Sequence, residues 1–132
     1  MSENVIVRDK GFAPDDWSQG YDGEVALDLA SDAQVEELEG KLPTLRMIRV
    51  DFPSFADGRG FTLARLLRLK GYTGRLRAKG HVLADQYAMA RRAGFDEVEI
   101  SADLADRQPE DNWVFRADWR AHDYQSRLRA AG

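Results

Sequence analysis

The chain has 132 residues, 43% of them hydrophobic and 32% charged, and a formal net charge of -4. That length suits one domain with a proper core, and the acidic balance argues against general nucleic-acid affinity, which depends on neutralising phosphates. The absence of cysteine excludes disulfides, thiolate catalysis and cysteine-held zinc or iron–sulfur centres within the chain, so any redox role needs a bound cofactor or a partner.

Residues 1–10 have neither the basic start nor the apolar run of a secretory signal. No apolar segment approaches the ~20 residues that cross a bilayer. The expectation is a cytoplasmic protein with no membrane association. Charge is unevenly spread: Arg59, Arg65, Arg68, Lys70, Arg75, Arg77, Lys79, Arg91 and Arg92 face only Asp85 within residues 58–92. A basic middle therefore sits within an acidic chain.

In chain order, Val5-Ile-Val7 is a short β-branched run that reads as an edge strand. Gly11 to Asp16 reads as a turn, with Trp17 placed to cover the edge. Val25, Leu27 and Leu29 alternate as in a strand. Ser31 or Asp32 can cap a following helix through Val35, Leu38 and Leu42, which Pro43 closes.

From Leu45 to Phe52 the alternation returns, with Ile48, Val50 and Phe52 on one face and Leu45, Met47, Arg49 and Asp51 on the other. This predicts a strand covered on both sides, as in an α/β sheet. After Pro53 comes Asp57-Gly58-Arg59-Gly60, and then a helix with a Leu63, Leu66, Leu67 stripe that ends at Lys70-Gly71. Gly74 to Lys79 alternates again, with Leu76 and Ala78 opposite Arg75, Arg77 and Lys79. Gly80-His81 turns into a second helix carrying Leu83, Tyr87 and Ala90, capped at Gly94, and Glu97 to Ile100 is the next strand. The helix ends at Gly71 and Gly94 lie 23 residues apart, the spacing of consecutive βα units with parallel strands. Beyond Ser101, Asp103 to Arg107 suggests at least one helical turn. Trp113, Phe115 and Trp119 follow without a clean period, and Asp118 to Arg129 reads as a final helix.

These elements predict a single small α/β domain over 1–132. Its core spans 24–101, and 1–23 and 102–132 pack on it as extensions. The sheet is mainly parallel, built from consecutive βα units in a partial βα-barrel-like arrangement. An incomplete barrel exposes sheet edges, for which homodimerisation is a natural remedy.

The candidate site is the turn before the first βα helix. Backbone N–H groups at a helix start, with two glycines beside them, make an anion cradle from Asp57, Gly58, Arg59, Gly60, Phe61 and Thr62. Arg59 can add a forked contact to phosphate, sulfate, sulfite or carboxylate. Equally, Asp57 can cap the helix, hold Arg59 in an internal ion pair or share a metal with Asp51. A dinucleotide fingerprint does not fit, because Leu63 and Lys79 stand where that pattern requires glycine and an acid. Lys79 and His81 follow the next strand, at the edge where parallel sheets bind ligands. Lys79 is thus a candidate anion ligand, while His81 is a candidate base or simply a solvated histidine. Asp51, Asp57, Lys79 and His81 are the candidates for any catalytic role. Arg65, Arg68, Arg75 and Arg77 can dock an acidic partner or form a solvated face. The Trp113, Phe115 and Trp119 group suits core packing, a dimer contact or a flat cofactor, and His122 with Asp118 and Asp123 is too sparse for a metal.

The run Phe52-Pro-Ser-Phe-Ala-Asp-Gly-Arg-Gly-Phe61 resembles the signature of a bacterial domain-of-unknown-function family, together with Leu66-Leu-Arg68, Gly71 to Gly80, Val82 to Gln86, Arg91 to Asp96 and Tyr124-Gln125. The likeness is close over residues 45–100 and looser at the ends. It departs at Ala93, where many members have cysteine, and at His81, where an acid is common. Members are described as predicted oxidoreductases involved in sulfite reduction, with genes beside those for the sulfite reductase haemoprotein. The resemblance therefore implies an oxidoreductase or accessory protein of assimilatory sulfate reduction, with that haemoprotein or another sulfur-assimilation enzyme as partner. A non-catalytic interaction module binding such an enzyme and a small-molecule enzyme of partial βα-barrel type are the alternatives. The cofactor is left open.

Overall fold

The computed structural model describes residues 4–38 and 40–117. Six strands form one sheet in the order β2-β1-β6-β5-β4-β3. They are β1 (Val5–Arg8), β2 (Gly11–Ala13), β3 (Ala26–Leu29), β4 (Met47–Phe52), β5 (Arg75–Gly80) and β6 (Glu97–Ile100). The last four are parallel and lie side by side in chain order. Right-handed crossovers in one direction put every connecting helix on the same side of the sheet. The result is a small α/β domain whose parallel part is arranged like a segment of a βα barrel.

The predicted β4–helix–β5–helix–β6 middle is present: α1 (Arg59–Leu69) follows β4 and α2 (Tyr87–Ala93) follows β5. On the inner face of α1, Phe61, Leu63, Ala64 and Leu67 are buried, whereas Leu66 is 40% exposed, so the stripe lies one position round from the expected one. Gly94 ends α2 at φ +121, a left-handed geometry in which a side chain is strained. These helices cover Ile48, Val50, Phe52, Leu76, Ala78, Val98 and Ile100 in one hydrophobic cluster.

Four local expectations differ. Val5-Ile-Val7 is an interior strand, paired antiparallel to both β2 and β6, because Gly11–Ala13 folds back as the true edge instead of remaining a turn. Residues 5–13 are thereby part of the sheet. The predicted helix through Leu42 contracts to a 3₁₀ turn over Val35–Leu38. Only Val35 and Leu38 of that turn are buried, and Gly40 at φ +90 breaks any continuation. Finally, β4 has a helical layer on one face only.

The opposite face carries a lattice of charges. Arg49 bridges Asp28 at 2.6 Å and Glu99 at 3.0 Å. Arg77, with a fully buried side chain, bridges Glu99 at 2.9 Å and Glu97 at 2.6 Å. Glu97 also holds Arg75 and Arg8. Residues 14–24 cross this face as an irregular strap: Asp15 pairs with Arg77, Asp16 with Arg75 and Arg8, and the Tyr21 ring lies 3.7 Å beneath the Arg49 guanidinium. Trp17, read as an edge cover, belongs to this strap and stacks loosely with Tyr21. The core ends with α3 (Ala102–Arg107), capped by the Ser101 hydroxyl, and α4 (Glu110–Val114). Trp113 is fully buried against Tyr87 and Phe115 is exposed. Trp119, His122, Asp118, Asp123, Tyr124, Gln125 and the final helix expected over Asp118 to Arg129 lie outside the described residues.

Candidate functional site

After β4 the chain turns at Pro53 to Ala56 and presents Asp57 at the start of α1. Its carboxylate accepts hydrogen bonds from Ser31 Oγ at 2.7 Å, from the Arg59 backbone N–H at 3.1 Å, and from Arg59 Nε and Nη2 at 3.0 and 2.9 Å. The Arg59 guanidinium, followed by Ser31, holds the Asp57 carboxyl far below the usual carboxylate range. Arg59 is thus clasped by a forked ion pair although its side chain is 62% exposed. Of the roles open to Asp57, this geometry favours the ion-pair partner: Gly58 holds the N-cap position without a side-chain cap, and Asp57 reaches only the first helical N–H, that of Arg59. Asp51 is exposed on β4 and shares no hydrogen bond with Asp57.

The two glycines of the turn differ. A Cβ on Gly60 would lie 2.4 Å from the Phe52 ring, so its missing side chain is the space that ring occupies. Phe61 packs on the same ring at 4.9 Å and belongs to the core. Gly58, at φ -82, needs no special conformation, and nothing lies within 4 Å of its Cβ direction. Arg59 and Thr62 line an open cleft of about 340 Å³ with Ser31, Asp32 and Glu36.

Lys79 and His81 line a different cavity, about 210 Å³, where the segments after β4, β5 and β6 converge. Phe55, Lys79, His81, Glu99, Ser101 and Arg107 are among its walls. Glu99 is fully engaged: it accepts from Asn4 Nδ2 at 2.7 Å, Arg49 Nη1 at 3.0 Å and Arg77 Nη1 at 2.9 Å. Burial alone would raise its pKa, yet Asn4, Arg49 and Arg77 together hold it below the ordinary value. Lys79 lies opposite Glu99 on one side and Asp51 on the other in strand register, but makes an ion pair with neither. Among the described residues, Lys79 and Arg107 have no hydrogen-bond or salt-bridge partner.

His81 is held, not loose. Its backbone N–H donates to the Phe52 carbonyl at 2.9 Å, and its Nδ1 lies 3.2 Å from the same oxygen. A carbonyl only accepts, so Nδ1 carries the proton and Nε2 bears the lone pair in the neutral ring. The ring stands edge-on to Phe55 at 5.0 Å. Gln86 anchors this loop, donating to the Phe55 carbonyl at 3.0 Å while accepting from Leu83 N at 2.9 Å. Gly80, at φ +112, lets the chain pass the Phe52 carbonyl, which would lie 2.7 Å from a Cβ there.

The structure therefore divides the sequence-derived residues between two clefts: Arg59 and Thr62 in one, Lys79 and His81 in the other. Arg65, Arg68, Arg75 and Arg77 do not make one outward face. Arg68 is turned onto the carbonyls of Tyr72, Gly74 and Gly94, and Arg75 and Arg77 belong to the ionic lattice. Sequence reasoning missed Arg107 and Phe55. Arg107 had a signal in its lone basic charge at the end of a serine-capped helix, but not the docking of that helix over the sheet edge.

The family model described as Bacterial protein of unknown function (DUF934) matches residues 26–131. The chain belongs to this family. No curated protein matches it. The DUF934 match begins at the first residue of β3, so it takes in all four parallel strands, the Asp57–Gly60 turn and the lining of the Lys79 cavity apart from Asn4. The β1–β2 hairpin and the strap precede it. No helix among the described residues is long and apolar enough to cross a membrane.

Proposed function

We propose that this DUF934 protein binds a small oxyanion as an oxidoreductase component or accessory protein of assimilatory sulfate and sulfite reduction. The observation that carries the reading is the Lys79 ammonium, without a partner among the described residues, in a cavity at the C-terminal edge of the parallel sheet. Arg75, Arg77 and Lys79 alternate onto one face of β5. Glu97 and Glu99 neutralise the first two, and Glu99 is then saturated by Arg49, Arg77 and Asn4. Lys79 is the uncompensated end of that lattice, and an anion is its natural complement. A cavity of about 210 Å³ lies below the ~300–1,000 Å³ of sites for drug-sized ligands, which favours a small ion over a dinucleotide. The pathway rests on the resemblance of the Phe52–Phe61 run alone. With no cysteine in the chain, electrons for sulfite come from a bound cofactor or a partner such as the sulfite reductase haemoprotein.

Two measurements test this. A strain of the source organism lacking the gene should fail to grow on sulfate or sulfite and recover on cysteine, and normal growth on sulfate sinks the pathway assignment. With purified protein, calorimetric titration of sulfite or sulfate should show binding that Lys79→Ala weakens about tenfold or more, the scale of one charge-assisted contact. Arg59→Ala, which removes a group already held by Asp57, should weaken it far less. The reverse order of effects would move the anion to the Asp57–Gly60 turn.

A further inference from the structure

We infer that the Lys79 cavity takes a dianion together with a proton, which lodges on His81 Nε2, and that Arg107 of α3 is the second fixed cation of the site. The inference rests on the oxyanion reading above and adds to it the charge state of the ligand and the roles of two further residues.

Three observations converge on it. First, the permanent charges lining the cavity are Lys79 and Arg107, both without partners among the described residues, and Glu99, whose oxygens are occupied by Asn4, Arg49 and Arg77. Two uncompensated positive charges match a ligand of two negative charges better than a monoanion. Second, the Phe52 carbonyl fixes the His81 tautomer by accepting from Nδ1. The ring cannot turn Nδ1 to a ligand without giving up that bond, so Nε2 is the atom available to one. As a lone pair Nε2 repels an oxyanion, and as N–H it donates to it. A seated dianion therefore favours the imidazolium form. Third, Phe55 and the Gln86 anchor keep the ring in place before any ligand arrives, so little ordering accompanies binding.

The other charged groups on neighbouring elements do not supply that proton. Asp51 on β4 is exposed and is not among the residues that line the cavity, although its Oδ1 lies 3.6 Å from where a Cβ on Gly80 would stand. Asp85, beyond His81 in the chain, pairs with Arg116 at 2.7 Å. Arginine does not titrate in this range. Proton uptake thus has a single favoured destination.

The probe is sulfate, which stays a dianion near neutral pH, so any proton taken up on binding must land on the protein. Titration calorimetry at neutral pH in two buffers of different ionisation enthalpy should report uptake of a fraction of a proton per sulfate. His81→Asn, whose side-chain amide nitrogen takes the place of Nδ1 and can still donate to the Phe52 carbonyl, should abolish the buffer dependence and weaken binding several-fold. Arg107→Met should weaken binding about tenfold with proton uptake intact, and Arg65→Ala, on the exposed side of α1, should change neither. Circular dichroism confirms that each variant is folded. Sulfate binding with no buffer dependence, or unchanged uptake in His81→Asn, overturns this inference while leaving oxyanion binding in place. No heat with sulfate, sulfite or inorganic phosphate overturns both.

Discussion

On one side of the sheet Ile48, Val50, Phe52, Leu76, Ala78 and Val98 lie against helices, and on the other, at neighbouring register positions, Arg49, Arg77, Glu97 and Glu99 lie beneath residues 14–24. The same strands supply both faces, since alternate residues point to opposite sides. The apolar face is held by contacts that tolerate sliding and repacking. The ionic face is held by directional bonds, each with a specified partner, in which removal of one member leaves a buried charge exposed to its neighbours. The difference also explains the candidate site. A lattice with fixed partners can run out of them, and among the described residues it does so at Lys79.

The largest effect should come from the apolar face. Phe52 is 1% exposed and touches Phe61, Phe95 and the Cα of Gly60. Phe52→Ala should cost about 3–5 kcal/mol, read from urea unfolding, with little dependence on salt. Gly60→Ala should also destabilise, because its Cβ would enter the Phe52 ring. Combining Gly60→Ala with Phe52→Leu should recover part of the loss. Additive losses would mean that the ring does not fill that space.

On the ionic face, Arg77→Ala is the counterpart. Its side chain is fully buried between Glu97, Glu99 and Asp15, so truncation should cost about 3 kcal/mol, at the lower end for a broken buried pair. The lower end is expected because Arg75 and Arg8 remain on Glu97, and Arg49 and Asn4 on Glu99. Arg77→Met, which keeps most of the volume but leaves both glutamates less compensated, should fall between wild type and Arg77→Ala. A cost for Arg77→Met equal to that of Arg77→Ala would show that volume is irrelevant there.

This division also marks what the sequence makes legible. The β4–α1–β5–α2–β6 unit is written locally, in alternation that switches to helical spacing and in the glycines at 71 and 94. The strap and hairpin are not, because Asp15 and Asp16 find Arg77 and Arg75 about sixty positions away, and nothing in the local composition marks a segment that covers charges instead of apolar groups. Likewise Lys79 and His81 follow from the rule that parallel sheets bind ligands at their C-terminal edge, whereas Arg107 reaches the cavity only through the tertiary placement of α3. The turn at Asp57 is the instructive intermediate case: its position was readable, but the ion pair that clasps Arg59 depends on Ser31, which precedes it by 26 residues.

Acid separates the two faces next. Arg75 holds the Asp16 carboxyl below its ordinary value, and Glu99 and Asp57 are depressed as well. A carboxylate with a folded-state pKa below the unfolded one stabilises the fold above the unfolded value, about 4, and loses that contribution as pH falls through the folded one. The urea midpoint should therefore hold near neutrality and fall progressively below about pH 5. Glu99→Gln should flatten part of that decline, while Phe52→Leu should shift the whole profile without changing its shape. A midpoint constant from pH 7 to pH 3 would remove the ionic face as a stabilising element.

The smallest effect should come from the strap's aromatic contact with the lattice. Tyr21 offers its ring to Arg49 at 3.7 Å and its hydroxyl to Arg77 Nη1 at 3.4 Å. The latter is long for a hydrogen bond, and Arg77 Nη1 already donates to Asp15 and Glu99 at 3.0 and 2.9 Å. Tyr21→Phe keeps the ring and should cost less than about 0.5 kcal/mol, the low end for a single hydrogen bond. Tyr21→Ala removes the ring and should cost about 1 kcal/mol, as for a partly desolvated cation–π pair, with a gain in proteolytic cleavage within residues 14–24. If Tyr21→Phe is as costly as Tyr21→Ala, the strap is held through the hydroxyl and not the ring. That outcome would make Arg77, not Arg49, the lattice member to which the strap is fastened.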